Sequence, residues 1–348
     1  MGLSGMKAFG FREHGGLDKL QVFDAPKPSA AEGEVLIRVR AAALNHLDLW
    51  VRAGLPGLKL PLPHILGCDV AGEIAEVGGG VSDWESGTRV GVNPGLYCGQ
   101  CEWCIQGEHP LCPDFRILGE HVAGGFAEYV KVPARNVVEL PTDFEFVDAA
   151  AAPLAFITAW RMLITRARVR PGESVLVLGA GSGVSTAAIQ IAKLAGCTVF
   201  ATSSSEEKLR RAKDLGADVL INYKEMEFDR AVWELTAKRG VDVVVDHIGA
   251  ATFGKSLRCL ARGGRLVFCG ATTGPDATFD LRRSFYRGHS ILGSTMASQK
   301  EFEDVMNLIF RRKLRPVVDR TFPLEKGREA EERLENGEQF GKIVLTVA

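Results

Sequence analysis

Short apolar runs with frequent breaks make up the chain as far as about residue 150. The runs "VLIRVRAAAL", "GEIAEVG", "RVGVNPG" and "AEYVKV" are separated by Gly, Pro and Asp residues. Short runs of strand-forming residues between turn formers are typical of β-structure. We therefore predict a rolled-up antiparallel sheet with long loops in this part of the chain, with its first strand at "MKAFGF" (6–11).

Strands and helices alternate in the middle of the chain. The segment "ESVLVLGAGSGVSTAAIQIAKLAGCTVFATSSSEEKLRRAKDLGADVLINY" (173–223) contains an apolar strand, a glycine turn, an Ala-rich helix, a second strand and an amphipathic helix. The same order continues through a strand at 241–246, a helix after Thr252, a glycine-pair turn at 263–264 and a strand at 265–269. This alternation predicts a parallel sheet covered by helices on both faces.

The alternation ends near residue 300. The segment "RTFPLEKGREAEERLENGEQFGKIVLTV" (320–347) predicts a helix and a final strand that returns to the first domain. A chain of 348 residues is longer than one hydrophobic core usually supports, which is about 250–300 residues. We predict domains at 1–154 and 155–299, with 300–348 returning to the first domain.

The overall composition limits the kinds of molecule that the protein is expected to bind. Apolar residues make up 46% of the chain and charged residues 24%, with a formal net charge of −1. This balance gives no electrostatic basis for binding nucleic acid or an anionic membrane. No apolar stretch reaches the ~18 residues of a membrane span, and no secretory leader pattern is present. We predict a cytoplasmic protein, with no function in the short segment before Met6.

Four of the eight cysteines lie within one short segment. Cys98, Cys101, Cys104 and Cys112 have a spacing that can close a tetrahedron around Zn²⁺. In a reducing compartment such a cluster is more typical of a metal site than of disulfides. Four protein ligands leave no open position for substrate, so we predict one structural zinc per chain in a lobe at about 97–113. The other cysteines are predicted to be small core residues: Cys68, Cys197, Cys259 and Cys269.

A glycine-rich turn, "GAGSGV" (179–184), follows the strand "SVLVL" and opens a helix. Such a turn can be only a tight connection, but backbone amides at a helix N-terminus would also meet a dinucleotide pyrophosphate. The position between a strand and a helix favours the second interpretation. The predicted phosphate contacts are Gly181, Ser182, Gly183 and Val184.

The next strand ends in "TSSSEEK" (202–208), which bears on the choice of cofactor. NAD-preferring sites usually place a carboxylate about 20 residues after the glycine turn. The hydroxyl of Ser203 and the ammonium of Lys208 suit a 2′-phosphate better, so we predict NADP(H) over NAD(H). Lys208 could instead lie on a solvated helix face, and the two glutamates leave the choice open. The same residues predict a capping box between Ser204 and Glu207 at the start of the following helix.

Six stretches carry a family resemblance: "GCDVAGEIAEVGGGV" (67–81), "YCGQCEWCIQGEHPLC" (97–112), "GGFAEYVKVP" (124–133), "GAGSGVSTAAIQIAK" (179–193), "KLRRAKDLGAD" (208–218) and "GKIVL" (341–345). In this order they resemble the medium-chain dehydrogenase/reductase family, in the group of zinc alcohol dehydrogenases and quinone oxidoreductases. The resemblance covers essentially the whole chain. It implies an α/β protein with a GroES-like, mostly-β catalytic domain and a Rossmann domain with a doubly wound parallel sheet.

The resemblance also bears on the catalytic metal. In the family's zinc enzymes that metal is bound by a Cys of "Cys-x-x-Asp", a His of "Gly-His-Glu" and a Cys or acidic residue before the Rossmann domain. The corresponding residues here are Asn45, Cys68 and Leu154, and the proton-relay hydroxyl is replaced by Leu47. One thiolate does not hold Zn²⁺ at useful affinity. The segment from Asn45 to Asp48 is similar to that of the zinc-free quinone oxidoreductases, which implies that the catalytic zinc is lost.

Further site residues follow from the resemblance alone. His46 stands where relatives contact the cofactor pyrophosphate, and Asp69 stands where they keep a Glu beside the metal ligands. A displaced metal site using His46, His64 or Asp69 stays open, although His64 is expected in a loop and His121 on the surface. Other cofactor contacts are implied for Thr158, Tyr223, Gly249, Gly270, Ala271, Ser294 and Lys342.

These features predict a nicotinamide-dependent oxidoreductase that reduces a quinone or an α,β-unsaturated carbonyl compound without a catalytic metal. The expected assembly is a homodimer or homotetramer. Two alternatives are a zinc-dependent alcohol dehydrogenase with a displaced catalytic site and a low-turnover NADP(H)-binding protein. The predicted catalytic residues are Asn45, His46, Asp48 and Cys68.

Overall fold

The computed structural model of the chain describes residues 5–348. Residues 1–4, which belong to the segment expected to carry no function, lie outside the described residues. The chain divides into two compact units after Leu154 and after Met296, so that Ala297–Ala348 belongs to the first unit and Ala155–Met296 is the second. Between residues 5 and 348, no helix is both long enough and apolar enough to cross a membrane.

The first unit contains most of the β-structure. Its strands are β1 (Gly5–Phe11), β2 (Leu20–Pro26), β3 (Glu34–Ala43), β4 (His64–Ile65), β5 (Asp69–Val77), β6 (Arg89–Val92), β7 (Gly95–Leu96), β8 (Arg116–Ile117), β9 (Tyr129–Pro133), β10 (Val137–Glu139), β17 (Val318–Pro323) and β18 (Lys342–Thr346). Its helices are α1 (His46–Ala53), α2 (Glu102–Ile105), α3 (Phe146–Ala150), α10 (Gln299–Phe310) and α11 (Gly327–Glu335).

The second unit alternates strands and helices. It begins within α4 (Pro153–Trp160), which continues into a π-helical segment, Arg161–Arg166. Its strands are β11 (Ser174–Val177), β12 (Thr198–Ser203), β13 (Val219–Asn222), β14 (Val241–Asp246), β15 (Leu260–Phe268) and β16 (Ser290–Gly293). Its further helices are α5 (Gly183–Leu194), α6 (Glu206–Asp214), α7 (Phe228–Leu235), α8 (Phe253–Cys259) and α9 (Leu281–Arg287).

The strands of the first unit form a mainly antiparallel structure, as predicted. One sheet has the order β2-β1-β4, and a larger one has the order β10-β6-β5-β3-β18-β17, with β9 also paired to β3. Strands β7 and β8 form a separate two-stranded ribbon. Only β17 and β18 are parallel neighbours among the described pairs of this unit.

Three strand ends of the first unit meet at one place. Ala43, the last residue of β3, pairs with Asp69 at the start of β5, and β18 pairs along the same end of β3. Asn45 follows the first of these strands, Cys68 precedes the second, and Lys342 begins the third. The register of the sheet therefore brings together residues from three distant parts of the chain.

The glycines of "GCDVAGEIAEVG" are explained by close packing. A Cβ atom on Gly72 would lie 2.1 Å from the carbonyl oxygen of Arg38 on the neighbouring strand. Gly67 has a φ of +94°, and a Cβ atom there would lie 2.3 Å from the ring of Phe126. Only glycine allows such backbone approaches without strain. The motif therefore shapes the segment around Cys68.

The second unit is a six-stranded, all-parallel sheet in the order β13-β12-β11-β14-β15-β16. This order places the crossover reversal beside β11, which is typical of a doubly wound sheet. Leu176, Val244 and Leu266, on three adjacent strands, belong to one fully buried cluster. The predicted fold class, a mostly-β domain followed by a Rossmann-like parallel sheet, is confirmed.

Strand β15 begins earlier than predicted. Val241 pairs with Leu260, but the next pair joins Val243 to Arg265. Gly263 has a φ of +72°, a conformation that favours glycine, and turns the chain out of the ladder. The predicted glycine turn therefore interrupts this strand instead of preceding it.

The predicted capping box between Ser204 and Glu207 is wrong, because the N-cap of α6 is Ser205 and the residue three positions on is Lys208. Helix α6 begins at Glu206, and the hydroxyl of Ser205 accepts the backbone N–H of Lys208 at 3.3 Å. The hydroxyl of Ser203 accepts the N–H of Ser205 at 3.2 Å. This side-chain bond holds the backbone in a non-helical turn and moves the N-cap to Ser205.

Candidate active site

The four clustered cysteines come together in the lobe between β7 and β8. Their Sγ atoms all lie within 4.8 Å of one another, the one such group of possible metal ligands among the described residues. Cys98 Sγ is 3.9 Å from Cys104 Sγ and 3.5 Å from Cys112 Sγ. Ligands ~2.3 Å from a zinc ion stand about 3.8 Å apart in a tetrahedron. These thiols therefore fit a tetrahedral zinc site.

The backbone of the lobe supports this arrangement. Gly99 and Gly107 have φ angles of +84° and +77°, which allow tight turns on either side of α2. The N–H groups of Gln100 and Cys101 point at Cys98 Sγ from 3.5 and 3.4 Å. These hydrogen bonds lower the pKa of Cys98 to about 6 and so favour the thiolate, the form that binds metal.

A buried polar cluster lies where the three strand ends meet, and we call its members, Asn45, Cys68, Asp69 and Lys342, the Asn45 cluster. Asn45 Nδ2 donates to Asp69 Oδ2 at 2.8 Å and to Cys68 Sγ at 3.2 Å. Lys342 Nζ donates to Asn45 Oδ1 and, at 2.9 Å, to Asp69 Oδ2. The amide group of Asn45 is thus fully engaged inside the cluster.

Both carboxylate oxygens of Asp69 accept hydrogen bonds. Its Oδ1 accepts the backbone N–H of Leu154 at 2.8 Å, and its Oδ2 accepts from Asn45 and Lys342. Leu154 therefore contributes a backbone amide to the site, and its side chain has no ligand atom. The side chains of Asp69 and Lys342 are 0% and 4% exposed. Each of these buried charges depends on the other, because an unpaired buried charge is costly.

Asp48 lies beside the cluster, but its carboxylate binds backbone. Oδ2 accepts the N–H of Asn45 at 2.7 Å, and Oδ1 accepts the N–H of Gly67 at 3.1 Å. These bonds hold the start of α1 against the segment before β5. Burial raises the pKa of Asp48 to about 7, although the two amides and the charge of Lys342 oppose the shift.

Cys68 is completely buried. Burial, together with the nearby carboxylates of Asp69 and Asp48, raises the pKa of its thiol well above the usual value. Metal ligation and nucleophilic attack both need the thiolate. The surroundings of Cys68 therefore favour the neutral thiol over the thiolate.

The three histidines considered as site residues have different surroundings. His46 is exposed on the first turn of α1. His64 is buried, its Nε2 is 2.9 Å from the Gly119 oxygen, and burial lowers its pKa. The loop expectation for His64 is wrong, because it lies in β4, which pairs with β1. His121 is half-buried, and its Nδ1 accepts a backbone N–H of its own turn at 3.1 Å.

The glycine-rich turn of the second unit connects β11 to α5. Ser182 is the N-cap of α5, and its hydroxyl accepts the N–H of Ser185 at 3.0 Å. The first backbone amides of a helix have no partner within it, and here they belong to Gly183 and Val184. Gly181 keeps the turn small. This geometry fits a pyrophosphate group at the helix N-terminus.

Sequence reasoning missed a histidine next to this turn. His247 Nε2 lies 3.1 Å from Ser182 Oγ, 2.9 Å from Ser185 Oγ and 3.2 Å from the Leu178 oxygen. Burial lowers the pKa of His247, so the ring acts as a neutral hydrogen-bonding partner of both hydroxyls. Its place directly after β14 was the available clue, because polar residues at the carboxyl ends of parallel strands line ligand sites.

Three residues predicted to bind the adenosine end lie at the carboxyl edge of β12 and β13. Ser203 ends β12 and is buried, and its carbonyl oxygen accepts the N–H of Tyr223 at 3.1 Å. Tyr223 has an exposed side chain just after β13. Lys208 is partly exposed on the first turn of α6. The structure thus brings Ser203 and Tyr223 together, with α6 starting shortly after Ser203.

The residues predicted near the nicotinamide follow β14, β15 and β16, except for Thr158, which is buried in α4. Gly249 has a φ of +92°, and a Cβ atom there would lie 2.8 Å from Ala271 Cα. Gly270 begins the turn after β15. Ser294 has a buried Oγ with no hydrogen-bond partner among residues 5–348. An unpaired buried hydroxyl is costly, so this atom suits a polar group of a bound cofactor.

Comparisons with known proteins decide the family. The descriptions alcohol dehydrogenase GroES-like domain and zinc-binding dehydrogenase match residues 31–142 and 183–311. Alcohol dehydrogenase of Geobacillus stearothermophilus is 35% identical over 329 residues, covering 94% of this chain and 95% of that protein. The chain belongs to the zinc-type medium-chain dehydrogenase/reductase family. The predicted resemblance is therefore confirmed.

Other similar proteins are named for different activities. A crystal structure of an NAD-dependent alcohol dehydrogenase is 49% identical with a TM-score of 0.95, over 99% of this chain and 100% of that chain. Acryloyl-coenzyme A reductase of Metallosphaera sedula is 35% identical over 331 residues, 94% of this chain and 96% of that protein. This medium-chain dehydrogenase/reductase is a nicotinamide-dependent oxidoreductase. Its family and its four-cysteine group together support a structural zinc.

Proposed function

We propose that this medium-chain dehydrogenase/reductase uses NADP(H) to reduce a quinone or an α,β-unsaturated carbonyl compound without a catalytic metal. The observation that carries the proposal is the composition of the Asn45 cluster. It contains an amide, a buried thiol, an ammonium group and a carboxylate with hydrogen bonds on both oxygens. Asn and Lys are not among the usual ligands of Zn²⁺. The residues present therefore do not fit a catalytic zinc.

The absence of a Lewis acid restricts the substrate class. A metal ion contributes several kcal/mol of carbonyl polarisation, and each ~1.4 kcal/mol changes a rate tenfold. A conjugated acceptor spreads the incoming negative charge over several atoms and needs less help. Acryloyl-coenzyme A, which appears in the name of one relative, is such a conjugated carbonyl compound. The similarity of this chain to a reductase of that compound therefore supports a conjugated carbonyl substrate.

The chain's own residues would bind and orient the reactants. When bound, reduced nicotinamide would supply the hydride. Asn45 and Asp48 hold the start of α1, and their polar atoms are engaged with the Asn45 cluster or with backbone. We assign hydrogen bonding to the substrate oxygen to His46, which is exposed at the positive N-terminal end of that helix.

The experiment that tests the function is an acceptor screen. NADPH oxidation is followed by absorbance with quinones, enones, enoyl thioesters, aldehydes and ketones, with metal content measured on the same sample. We expect turnover with conjugated acceptors in protein that holds one zinc per chain. Turnover confined to simple alcohols and aldehydes, in protein with two zinc ions per chain, would contradict the proposal.

Replacing Cys68 by alanine tests whether this position serves a metal. We expect Cys68→Ala to keep kcat/KM for a conjugated acceptor within a fewfold of the parent value, because the neutral buried thiol only accepts a hydrogen bond. The measurement is kcat/KM together with zinc content and thermal melting. A loss above roughly a thousandfold, equivalent to about 4 kcal/mol, with loss of a zinc ion from folded protein, would restore a metal-dependent alcohol dehydrogenase.

Lys208 carries the proposed preference for NADP(H). A charged hydrogen bond contributes ~1.5–3 kcal/mol, so contact with the 2′-phosphate would favour NADPH over NADH by roughly ten- to a hundredfold. Lys208→Ala should remove most of that preference and leave the kcat/KM for NADH nearly unchanged. Lys213→Ala, on the exposed last turn of the same helix, is the matched control. Equal use of NADPH and NADH by the unmodified protein would reject the assignment.

The alternative enzyme is a zinc-dependent alcohol dehydrogenase with a displaced catalytic site. The names of the similar alcohol dehydrogenases favour it. Among residues 5–348, however, neither His46 nor His64 joins a group of three metal-ligating atoms. Tight NADPH binding without turnover in the acceptor screen would instead favour a low-turnover NADP(H)-binding protein.

We also propose that the enzyme works as a homodimer or homotetramer in the cytoplasm. Leu281, Phe285 and Tyr286 are exposed on α9. Strand β16 is an edge of the parallel sheet, and Ile291 on it is exposed as well. Apolar side chains beside an unpaired strand edge suit association between copies.

The cysteines support the proposed location in the cytoplasm. Four thiols placed to bind a metal are typical of a protein in a reducing compartment.

A further inference from the structure

Three polar groups surround the ring of His247 at the start of α5. Its Nε2 is 2.9 Å from Ser185 Oγ, 3.1 Å from Ser182 Oγ and 3.2 Å from the carbonyl oxygen of Leu178. The Ser185 hydroxyl donates to the Leu178 oxygen at 2.7 Å. The Ser182 hydroxyl donates to Ser185 Oγ at 2.8 Å. The protons of both hydroxyls are therefore already used within this group.

This arrangement determines which ring nitrogen of His247 carries the proton. If the proton were on Nδ1, the lone pair of Nε2 would face lone pairs of Ser185 Oγ and of the Leu178 oxygen. A proton on Nε2 is instead donated to Ser185 Oγ, with the Leu178 oxygen as a second acceptor. Burial lowers the pKa of His247, so the ring is neutral at pH 7. Its single ring proton lies on Nε2.

The backbone of His247 is held from the other side by Asp246, which is completely buried. Asp246 Oδ1 accepts the N–H groups of Ile248 and Gly249 at 2.8 and 3.1 Å. This carboxylate fixes the turn after β14, from which the His247 ring extends to α5. A Cβ atom on Gly179 would lie 3.5 Å from the ring. The ring therefore packs directly against the glycine-rich turn.

We propose that His247 is the positioning residue of the phosphate-binding turn: its Nε2–H fixes the Ser185 hydroxyl, and through it Ser182, so that the free amides of α5 face the cofactor pyrophosphate. Ser182 is the N-cap, and its Oγ accepts the Ser185 N–H at 3.0 Å. The glycines before it have no side chains that could hold the turn. The inference rests on the proposed binding of a nicotinamide cofactor at this turn and does not depend on the acceptor.

The first test compares donors at two positions of the ring. Dissociation constants of NADPH and NADH are measured by titration calorimetry on the full-length, zinc-loaded protein. His247→Gln places an amide N–H near the position of Nε2, whereas His247→Asn reaches only as far as Nδ1. We expect the Gln variant to bind within about threefold of the unmodified protein, and the Asn and Leu variants about tenfold more weakly, the effect of one lost hydrogen bond. Equal affinities of the Gln and Asn variants would overturn the proposal.

The loss should be the same for both cofactors, because both carry the pyrophosphate. Lys208→Ala, in contrast, is expected to affect NADPH alone. A loss at His247 that is confined to one cofactor would overturn the role of His247 at the pyrophosphate. Thermal melting reports whether each variant is folded, and the Gln and Asn pair carries the comparison if the Leu variant is unfolded.

A double variant tests the route through Ser185. The combination His247→Leu/Ser185→Ala should bind the cofactors no more weakly than the weaker single variant, because both changes remove the same hydrogen bond. Additive losses would overturn this route. The ¹⁵N chemical shifts of the His247 ring should show the proton on Nε2, and a proton on Nδ1 would overturn the proposal.

The outcomes for the unmodified protein bear on the proposed function separately. Failure to bind either cofactor would overturn the proposed function together with this inference. Normal cofactor binding by the folded Asn and Leu variants would overturn only the role of His247.

Discussion

Replacing Cys101 by serine should reduce the zinc content of the protein from one ion per chain to almost none. Structural zinc sites with complete ligand sets contribute ~10–16 kcal/mol in small metal-binding peptides, so loss of one thiolate should cost several kcal/mol. The regular structure in the lobe is short, because β7, α2 and β8 have only two, four and two residues. The measurements are metal content, thermal melting and proteolysis within residues 97–112.

Cys197→Ser is the matched control for this experiment. Cys197, like Cys101, forms no disulfide, but it is buried in the second unit, where its Sγ is 3.6 Å from the Arg170 oxygen. We expect the control to retain its zinc. If Cys101→Ser keeps a full complement of zinc and its melting temperature, the four thiols are not the ligands of a structural metal.

Replacing Asp69 by alanine should destabilise the protein by about 3–5 kcal/mol, the usual cost of removing one partner of a buried ion pair. Lys342 would be left with a buried charge and no carboxylate, and Asn45 and the amide of Leu154 would lose their acceptor. The measurement is the free energy of unfolding in denaturant at neutral pH.

Glu73→Ala provides the comparison on the same strand. Glu73 pairs with Arg40, but both side chains are about one-third exposed, and such pairs contribute less than about 1 kcal/mol. Each variant therefore removes one carboxylate from an ion pair, and the two pairs differ mainly in how deeply they are buried. Equal losses at Asp69 and Glu73 would show that the Lys342–Asp69 pair is not protected from solvent as the structure describes.

The organisation of the second unit was predictable because its patterns are local. Strand β14 and helix α8 lie where the alternation of apolar runs and helix starts places them. The capping of α6 was misplaced by one residue, because the hydroxyls of three successive serines compete for nearby amides and only the backbone path decides which one succeeds. Local chemistry thus predicts that an element exists better than it predicts its first residue.

The candidate site was only partly predictable. The family pattern pointed to Asn45, Cys68 and Leu154, but it implied that Lys342 binds the cofactor. In the structure Lys342 bonds to Asp69, which lies 273 positions away in the sequence. His247 was missed, although it stands beside the glycine turn, because its partner Ser182 lies 65 positions earlier.

By itself the sequence determined the features that depend on near neighbours: the cysteine spacing, the glycine turn and the alternation of strands and helices. The tertiary structure alone decided that Asn45, Asp69 and Lys342 come together. Strand β18 pairs with β3 in a register that aligns Val344 with Ala43, and this register delivers Lys342 to Asn45 and Asp69. No sequence pattern encodes that contact, because it arises from backbone pairing between opposite ends of the chain.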